Sequence, residues 1–526
     1  MKVLVSDNLG EAGIEIFKAA GLDVDVKTGL SPEELKAEIG PYHALVIRSA
    51  TRVTDELLEA AENLKVVGRA GIGLDNVDIP AATRRGVVVM NTPGGNVVTT
   101  AEHAISMMLS LSRNIAQGTA SLKTGRWDKK KLMGREIYNK TLGVIGFGKI
   151  GSVVADRARG LKMKVLVYDP VVQDETIEKQ GFESVRIDEL YARADYITIH
   201  VPKNKGTANM INAEALAKMK DGVMLINCAR GGIVDEEALY DALESGKVAG
   251  AALDVFAQEP PPADLRLLQS EKVILTPHLG ASTFEAQTNV AVAVANQIVE
   301  YLKHNNVVNA VNVPSISGQA LEQLGPFIRL AEKMGMLHAQ FMTEQLKEIN
   351  ILYNGDFFGY DLMPVTSAFI QGLLSYRLGA EVNAVNAHYI AKEHGIKITE
   401  SSSPETTDFL HMITTKITGP EKTLTVAGTV FGKSDPRIVR IDDFRIEIIP
   451  KGHLALIHNL DEPGAIGSIG TTLGDHGINI SRMQVGLEEG GEHNIILLRT
   501  DTPISQNVVD ALMALPKVIS VRTMEL

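Results

Sequence analysis

Cysteine is what this chain most conspicuously lacks: among 526 residues only Cys228 carries a thiol. A single thiol closes no intrachain disulfide, so a reducing, cytoplasmic setting is expected. The first residues, Met1-Lys-Val-Leu-Val-Ser-Asp7, enter a strand pattern without the basic and apolar regions of a signal peptide. Long apolar runs are missing too. A bilayer span needs roughly 18 to 20 such residues, and even Val290 to Val299 is interrupted by Asn296 and Gln297; no membrane contact is expected. With a net charge of -12 there is no basic excess to neutralise phosphates, which argues against nonspecific nucleic-acid binding. Neither tandem repeats nor low-complexity tracts occur, and no metal site is expected.

What is present is ordinary for folded protein: 45% hydrophobic and 22% charged residues. Such a length implies three or four domains, because single cores stop growing well below it. Short apolar strands alternate with helical patterns from residue 1 to about 96: strands at Lys2 to Ser6, Ala44 to Arg48 and Val66 to Gly68, helices at Glu11 to Ala20 and Thr54 to Ala61. Thr99 to Arg113 reads as a connecting helix, after which a second α/β series begins. The composition turns linker-like at Val313-Pro-Ser-Ile-Ser-Gly318. Beyond it, helices are expected at Leu324 to Met342, Thr366 to Leu378 and Val385 to His394, mixed with strands. From about 451 the order strand, helix, strand, strand, helix, strand predicts a ferredoxin-like βαββαβ unit.

The chemistry is concentrated between residues 142 and 282. Leu142-Gly-Val-Ile-Gly-Phe-Gly-Lys-Ile-Gly151 follows an apolar strand and opens a helix. In that context Gly146 permits the turn, Gly148 lets a pyrophosphate approach the backbone, and Gly151 lets helix and strand pack, with Lys149 and Ile150 at the helix N-terminus facing the anion. A second strand ends in Asp169-Pro170, 23 residues after Gly146. There an acid can accept hydrogen bonds from both ribose hydroxyls and repel a 2'-phosphate, so NAD is the expected cofactor. The next strands supply His200-Val201-Pro202 and Cys228-Ala229 at the sheet edge where such folds bind ligands.

Three further stretches each place an ionisable residue at the end of an α/β strand: Asn227-Cys-Ala-Arg230, Leu253-Asp254-Val-Phe-Ala-Gln-Glu259 and Thr276-Pro-His278-Leu-Gly280. Oxidation of a 2-hydroxy acid needs a base for the hydroxyl proton, a cation for the carboxylate and a hydride acceptor. His278, Arg230 and NAD form that set, with Glu259 expected to orient His278 and raise its pKa.

The stretches "GFGKIG", "NCARGGIVDEEAL", "LDVFAQEP" and "TPHLGAST" resemble those of the D-isomer-specific 2-hydroxyacid dehydrogenases. Over its whole length the chain resembles the long, 3-phosphoglycerate-oxidising branch of that family. The resemblance implies a Rossmann-type NAD-binding domain over 97–284, inserted in a discontinuous flavodoxin-like substrate domain of 1–96 and 285–312. It implies an α+β intervening domain of the allosteric substrate-binding type over 313–447 and a ferredoxin-like ACT regulatory domain over 448–526. The activity implied is NAD-dependent oxidation of 3-phospho-D-glycerate to 3-phosphohydroxypyruvate, the first step of L-serine biosynthesis, in a homo-oligomer, with a tetramer expected. A glycerate or hydroxypyruvate reductase of the same family, and an NAD-sensing corepressor-like protein without turnover, are the alternatives.

By the same resemblance the cofactor residues include Thr207, Asp254, His278 and Gly280 beside those already named. Arg48 and Arg69, with Thr51 nearby, are the expected 3-phosphate ligands; Gly95 and Asn96 meet the carboxylate and hydroxyl, and Lys129 reaches the phosphate across a subunit interface. Asn459, Asp461 and Asn479 are the expected contacts for an L-serine effector at a junction between two ACT modules.

Overall fold

Short runs of aliphatic residues nucleate four sheets in a computed structural model that describes residues 1–313, 319–379, 382–406, 408–487 and 493–526. The linker expected at 313–318 falls, apart from Val313, outside the described residues. The first sheet is parallel, with β1 (Lys2–Val5), β2 (Asp23–Val26), β3 (Ala44–Ile47), β4 (Val66–Arg69) and β5 (Val88–Met90) in the order β2-β1-β3-β4-β5. That is the flavodoxin-like order. Strands such as Ala-Leu-Val-Ile in β3 are buried throughout, as a parallel sheet with two covered faces requires. Leu35, Leu57 and Leu58 cover one face. Phe17 covers the other together with Val290, Val294 and Ile298. These last three lie on the helix Phe284–His304, so the chain returns to its first sheet after completing the second.

The second sheet holds β6 (Thr141–Ile145), β7 (Lys164–Tyr168), β8 (Glu183–Ser184), β9 (Tyr196–Ile199), β10 (Val223–Asn227), β11 (Val248–Leu253) and β12 (Val273–Leu275). All are parallel, in the order β12-β11-β10-β9-β6-β7-β8. The chain direction across the sheet reverses between β6 and β9, the switch point where a doubly wound fold opens a crevice at the carboxyl ends of its strands. The expected connector is the helix Val97–Ser112, and a second helix, Ile115–Lys123, follows it without having been anticipated.

The third sheet is mixed: β13 (Glu348–Asn354), β14 (Lys397–Ser403), β15 (Met412–Thr418), β16 (Thr423–Phe431), β17 (Asp435–Ile441) and β18 (Phe444–Ile448), in the order β14-β13-β15-β16-β17-β18. The helices Gln319–Phe341 and Met363–Leu378 pack on it. The fourth is antiparallel, with β19 (His453–Leu460), β20 (Ile480–Leu487), β21 (His493–Thr500) and β22 (Val518–Glu525) in the order β20-β21-β19-β22. Two helices, Ala465–Asp475 and Gln506–Met513, complete the expected βαββαβ unit. The period of two in β19 divides its residues: Ala455 and Ile457 face those helices, while Leu454 and Leu456 join the core of the third domain.

Candidate active site

The glycine loop at the end of β6 is built by close approach. Gly146 has φ of 96°, and a Cβ there would lie 2.6 Å from the carbonyl oxygen of His200. A Cβ on Gly151 would lie 1.9 Å from the carbonyl oxygen of Gly146. Around Gly148 nothing approaches within 4 Å, and the helix Lys149–Gly160 starts there without a side-chain cap. The loop is closed where it packs and open where a pyrophosphate needs backbone N–H groups. Asp169 completes the cradle: one carboxylate oxygen accepts from Phe147 N at 2.6 Å and the other from the amides of Val171 and Val172. The residues present thus fit a dinucleotide.

The loop after β9 stands opposite. His200 is bonded to Thr198 at 2.9 Å, and burial pushes its pKa down to about 4, so it is neutral at physiological pH. Thr207 donates to the carbonyl oxygen of Pro202 at 2.6 Å and shapes this loop. Cys228, at the end of β10, is buried, and burial raises its thiol well above the usual range, which leaves it unreactive.

His278 follows β12 with φ of 55°, a left-handed conformation uncommon for residues other than glycine. Its Nδ1 lies 2.7 Å from Oε2 of Glu259, whose Oε1 accepts from Phe256 N at 3.1 Å. The hydrogen bond to Glu259 raises the His278 pKa, against burial and the nearby Arg230. Burial pushes Glu259 up, but the bonds from His278 and Phe256 N outweigh it and hold the carboxyl below its ordinary range. The opposite shifts describe one pair. With Nδ1–H directed to Glu259, Nε2 is left with its lone pair free to take a proton.

Asp254 sits beneath the loop that carries His278. It is 0% exposed, and its carboxylate receives Thr276 Oγ1 at 2.6 Å, Leu279 N at 2.7 Å, Gly280 N at 2.8 Å and His103 Nε2 at 3.2 Å. Three of these contacts fall on Oδ1 and that from Gly280 on Oδ2, so Asp254 braces the His278 loop. Burial raises its pKa, yet the bonds from His103, Thr276 and Leu279 N prevail and hold it below the ordinary value.

Three guanidinium groups converge on the other wall. Arg230 donates from Nε to Asp75 at 3.1 Å and from NH1 to Ala229 O at 2.7 Å, and its NH2 lies over Gly73. Arg69 has a buried Nε without a partner among the described residues. Burial, then Arg230 and Arg48, push its pKa down to about 10 against the carboxylates of Asp75 and Asp7, and it stays cationic at neutral pH. The loop with Gly95 and Asn96 lies alongside, tied by Thr92 N to Gly71 O at 2.9 Å and by Asn91 Nδ2 to Ile72 O at 2.6 Å. Asn96 Oδ1 is buried and unpartnered.

One expected substrate residue is placed differently, and another stands away from the arginines of its own chain. Thr51 donates its hydroxyl to Asp7 at 2.7 Å and touches Ser6 at 2.9 Å, so it stiffens the Arg48 loop and its proton is not free for a ligand. Lys129 is exposed, in a segment held by Gln117 to Glu271 O and by Arg135 to Gly222 O. Those acceptors precede β12 and β10, so the residues on either side of Lys129 are anchored at the amino edge of the sheet, opposite the carboxyl edge that carries the site. Asp7, Asp75 and His103 were not anticipated. Spacing could not have indicated them, because each acts by meeting a residue distant in sequence.

In the fourth sheet the effector residues are separated. Asn459 is 0% exposed and donates to Leu460 O at 2.8 Å, with Oδ1 unpartnered. Asp461 accepts from Asn494 at 2.9 Å near the start of β21, and Asn479 donates to Asp501 at 2.6 Å beyond its end. The length of β21, about 25 Å, keeps Asp461 and Asn479 apart within one chain.

Among the described residues no group of acids, histidines or cysteine suits a metal, and no helix is long and apolar enough to cross a membrane. Residues 105–280 match the NAD binding domain of D-isomer specific 2-hydroxyacid dehydrogenases, 323–442 the D-3-phosphoglycerate dehydrogenase intervening domain, and 453–517 the ACT domain. The chain is 44% identical over 528 residues to D-3-phosphoglycerate dehydrogenase of Archaeoglobus fulgidus, covering 100% of both. It is 42% identical to the Bacillus subtilis enzyme of that name, covering 100% of this chain and 99% of the relative. Among solved structures it is similar to NAD-dependent formate dehydrogenase from Staphylococcus aureus in complex with NAD, and to D-lactate dehydrogenase from Aquifex aeolicus complexed with NAD and lactic acid. Each is 30% identical with a TM-score of 0.54, covering 60% of this chain and 100% of the other. The chain belongs to the D-3-phosphoglycerate dehydrogenases, within the NAD-binding D-isomer-specific 2-hydroxyacid dehydrogenase family.

Proposed function

We propose that the protein oxidises 3-phospho-D-glycerate to 3-phosphohydroxypyruvate as the first step of L-serine biosynthesis in the cytoplasm. The observation that carries the substrate is the convergence of Arg48, Arg69 and Arg230 opposite the His278–Glu259 pair: three cations suit a ligand with a phosphate at one end and a carboxylate at the other. Arg48 and Arg69 take the phosphate. Arg230 takes the carboxylate and the developing keto oxygen, exchanging its contact with Asp75, and the amide-rich loop at Gly95 and Asn96 orients the hydroxyl. His278 Nε2 removes the hydroxyl proton while Glu259 stabilises the imidazolium that forms. NAD, when bound, supplies the hydride acceptor.

The division into 1–96 with 285–312, 97–284, 313–447 and 448–526 accompanies this reading, as does assembly of at least two copies, a tetramer by family expectation. Exposed Trp127 and Met133, 80% and 84% accessible, flank Lys129 and support a second copy on that face, the route by which Lys129 reaches a neighbour's phosphate. L-Serine is the effector proposed for the ACT sheet.

The test is NADH formation at about 340 nm, the band of the reduced nicotinamide, with 3-phosphoglycerate, glycerate and lactate, each with and without L-serine. Turnover confined to the phosphorylated acid is expected. Preference for an unphosphorylated acid overturns the substrate, and NAD binding without turnover of any of them favours a sensor.

A further inference from the structure

Three of the four donors to Asp254 belong to the loop that carries His278; the fourth comes from elsewhere. His103 stands on the helix Val97–Ser112, and its Nε2 lies 3.2 Å from Asp254 Oδ1 and 3.3 Å from Thr276 Oγ1. An ionised carboxylate only accepts, so His103 carries its hydrogen on Nε2. One turn earlier on the same face, Thr100 donates to Gly280 O at 2.9 Å. The same helix starts at Asn96, in the loop proposed to orient the substrate hydroxyl. One rigid element therefore touches both the substrate loop and the base loop.

We propose that His103 is a positioning residue for His278, acting through Asp254. Its Nε2 lies against Oδ1 of a carboxylate that is 1% accessible as a side chain, and among the described residues it is the one contact to that carboxylate from outside the His278 loop. The carboxylate is thereby fixed in the rotamer that holds the amides of Leu279 and Gly280 and keeps His278 at φ of 55° against Glu259. Without this outside contact Oδ1 loses one of its three partners, and the buried carboxylate is tied only to the loop it braces. Asp254 then turns or takes up a proton, the two amide bonds weaken, and the strained His278 backbone relaxes away from its working geometry.

The inference rests on the proposed dehydrogenase reading, and its tests separate the two. His103→Leu removes the donor. His103→Gln restores an N–H near the reach of Nε2, whereas the shorter His103→Asn does not. His103→Leu should lower kcat by about 10- to 100-fold, the scale of a small misplacement of a catalytic group, with the KM for NAD within about twofold, and His103→Gln should recover most of the loss. In the cofactor-free protein, hydrogen exchange over the segment containing Leu279 and Gly280 should speed up in the Leu and Asn variants and stay slow in the Gln variant. If the Leu variant does not fold, the Gln and Asn pair decides. Equal kcat and equal exchange for Gln and Asn, or a Leu variant with wild-type kcat, overturns the proposal, whereas absence of turnover in the unaltered protein fails the dehydrogenase reading instead.

Discussion

The cleft between the two parallel-sheet lobes and the four-stranded C-terminal sheet are both marked in the sequence by short polar motifs at strand ends, yet only the first gathers its residues within one chain. In the second sheet β6, β9, β10, β11 and β12 all run the same way, so the residues that follow them arrive at one edge: Gly146, His200, Arg230, Asp254 and His278. In the C-terminal sheet β19 and β20 both run antiparallel to β21, hence parallel to each other. Asp461 follows one of these strands and Asn479 precedes the other, so they lie at opposite edges. A set of strand-following residues makes a site in one protomer. A set that mixes following and preceding residues can meet at one ligand only if another copy supplies part of it.

The sharpest test of the self-contained cleft is His278→Ala, for which kcat should fall by roughly 10²- to 10⁴-fold, the usual contribution of a general base. NAD affinity measured by fluorescence titration should stay within about threefold, because the glycine loop and Asp169 are untouched. A near-normal rate would remove His278 from the reaction and leave the cleft as a binding site.

A smaller loss with a distinct signature is expected of Arg69→Ala. Charge-assisted contacts to phosphate are among the stronger polar interactions, so the KM for 3-phosphoglycerate should rise by about 10- to 100-fold, against less than about threefold for an unphosphorylated 2-hydroxy acid. Equal losses on both would place Arg69 in the scaffold.

Glu259→Gln probes the pairing itself. The His278 pKa is raised chiefly by Glu259, so oxidation, which needs the neutral imidazole, is lost as pH falls through that raised value. With Gln the imidazole deprotonates at lower pH, and the acidic limb of the kcat/KM profile should move down while the plateau drops. An unmoved limb would assign it to another group. The same pair contributes to folding with the reverse sign on each partner: the raised His278 favours the fold at low pH and loses its contribution as pH rises through its folded pKa, whereas the lowered Glu259 loses its contribution as pH falls through its own.

How far all this was legible in the sequence follows from what each residue type can announce. Gly146 and Gly151 announce themselves because backbone contact at 2.6 and 1.9 Å admits no side chain, and glycine is the one residue type without one. The parallel lobes and the βαββαβ unit were legible from strand and helix periodicity. Asp254 was visible as a strand-end acid, but what its carboxylate meets depends on His103, which precedes it by a whole series of α/β units. Asp75 and Asp7 were hidden for the same reason. Lys129 was read as reaching a neighbour's substrate on resemblance alone, since a run of lysines says nothing about what it meets. The helix Ile115–Lys123 was missed beside a longer helix whose pattern absorbed it.

The mildest effect expected tests the incomplete half of the comparison. If Asp461 and Asn479 meet only across two ACT sheets, Asp461→Ala and Asn479→Ala should each abolish inhibition by L-serine. When the two variants are unfolded together and reassembled, about half of the dimeric units should be hybrids, as random pairing of equal pools gives for a two-fold interface. In each hybrid one junction has lost both residues and the other has kept both. Inhibition should therefore return in part to the mixture, although neither variant shows any alone. Inhibition that stays absent after mixing would mean that the two residues act within one chain, across the 25 Å or so that β21 spans, and so by transmission along the sheet and not by gripping one ligand. Inhibition intact in either single variant would instead remove that residue from the effector site.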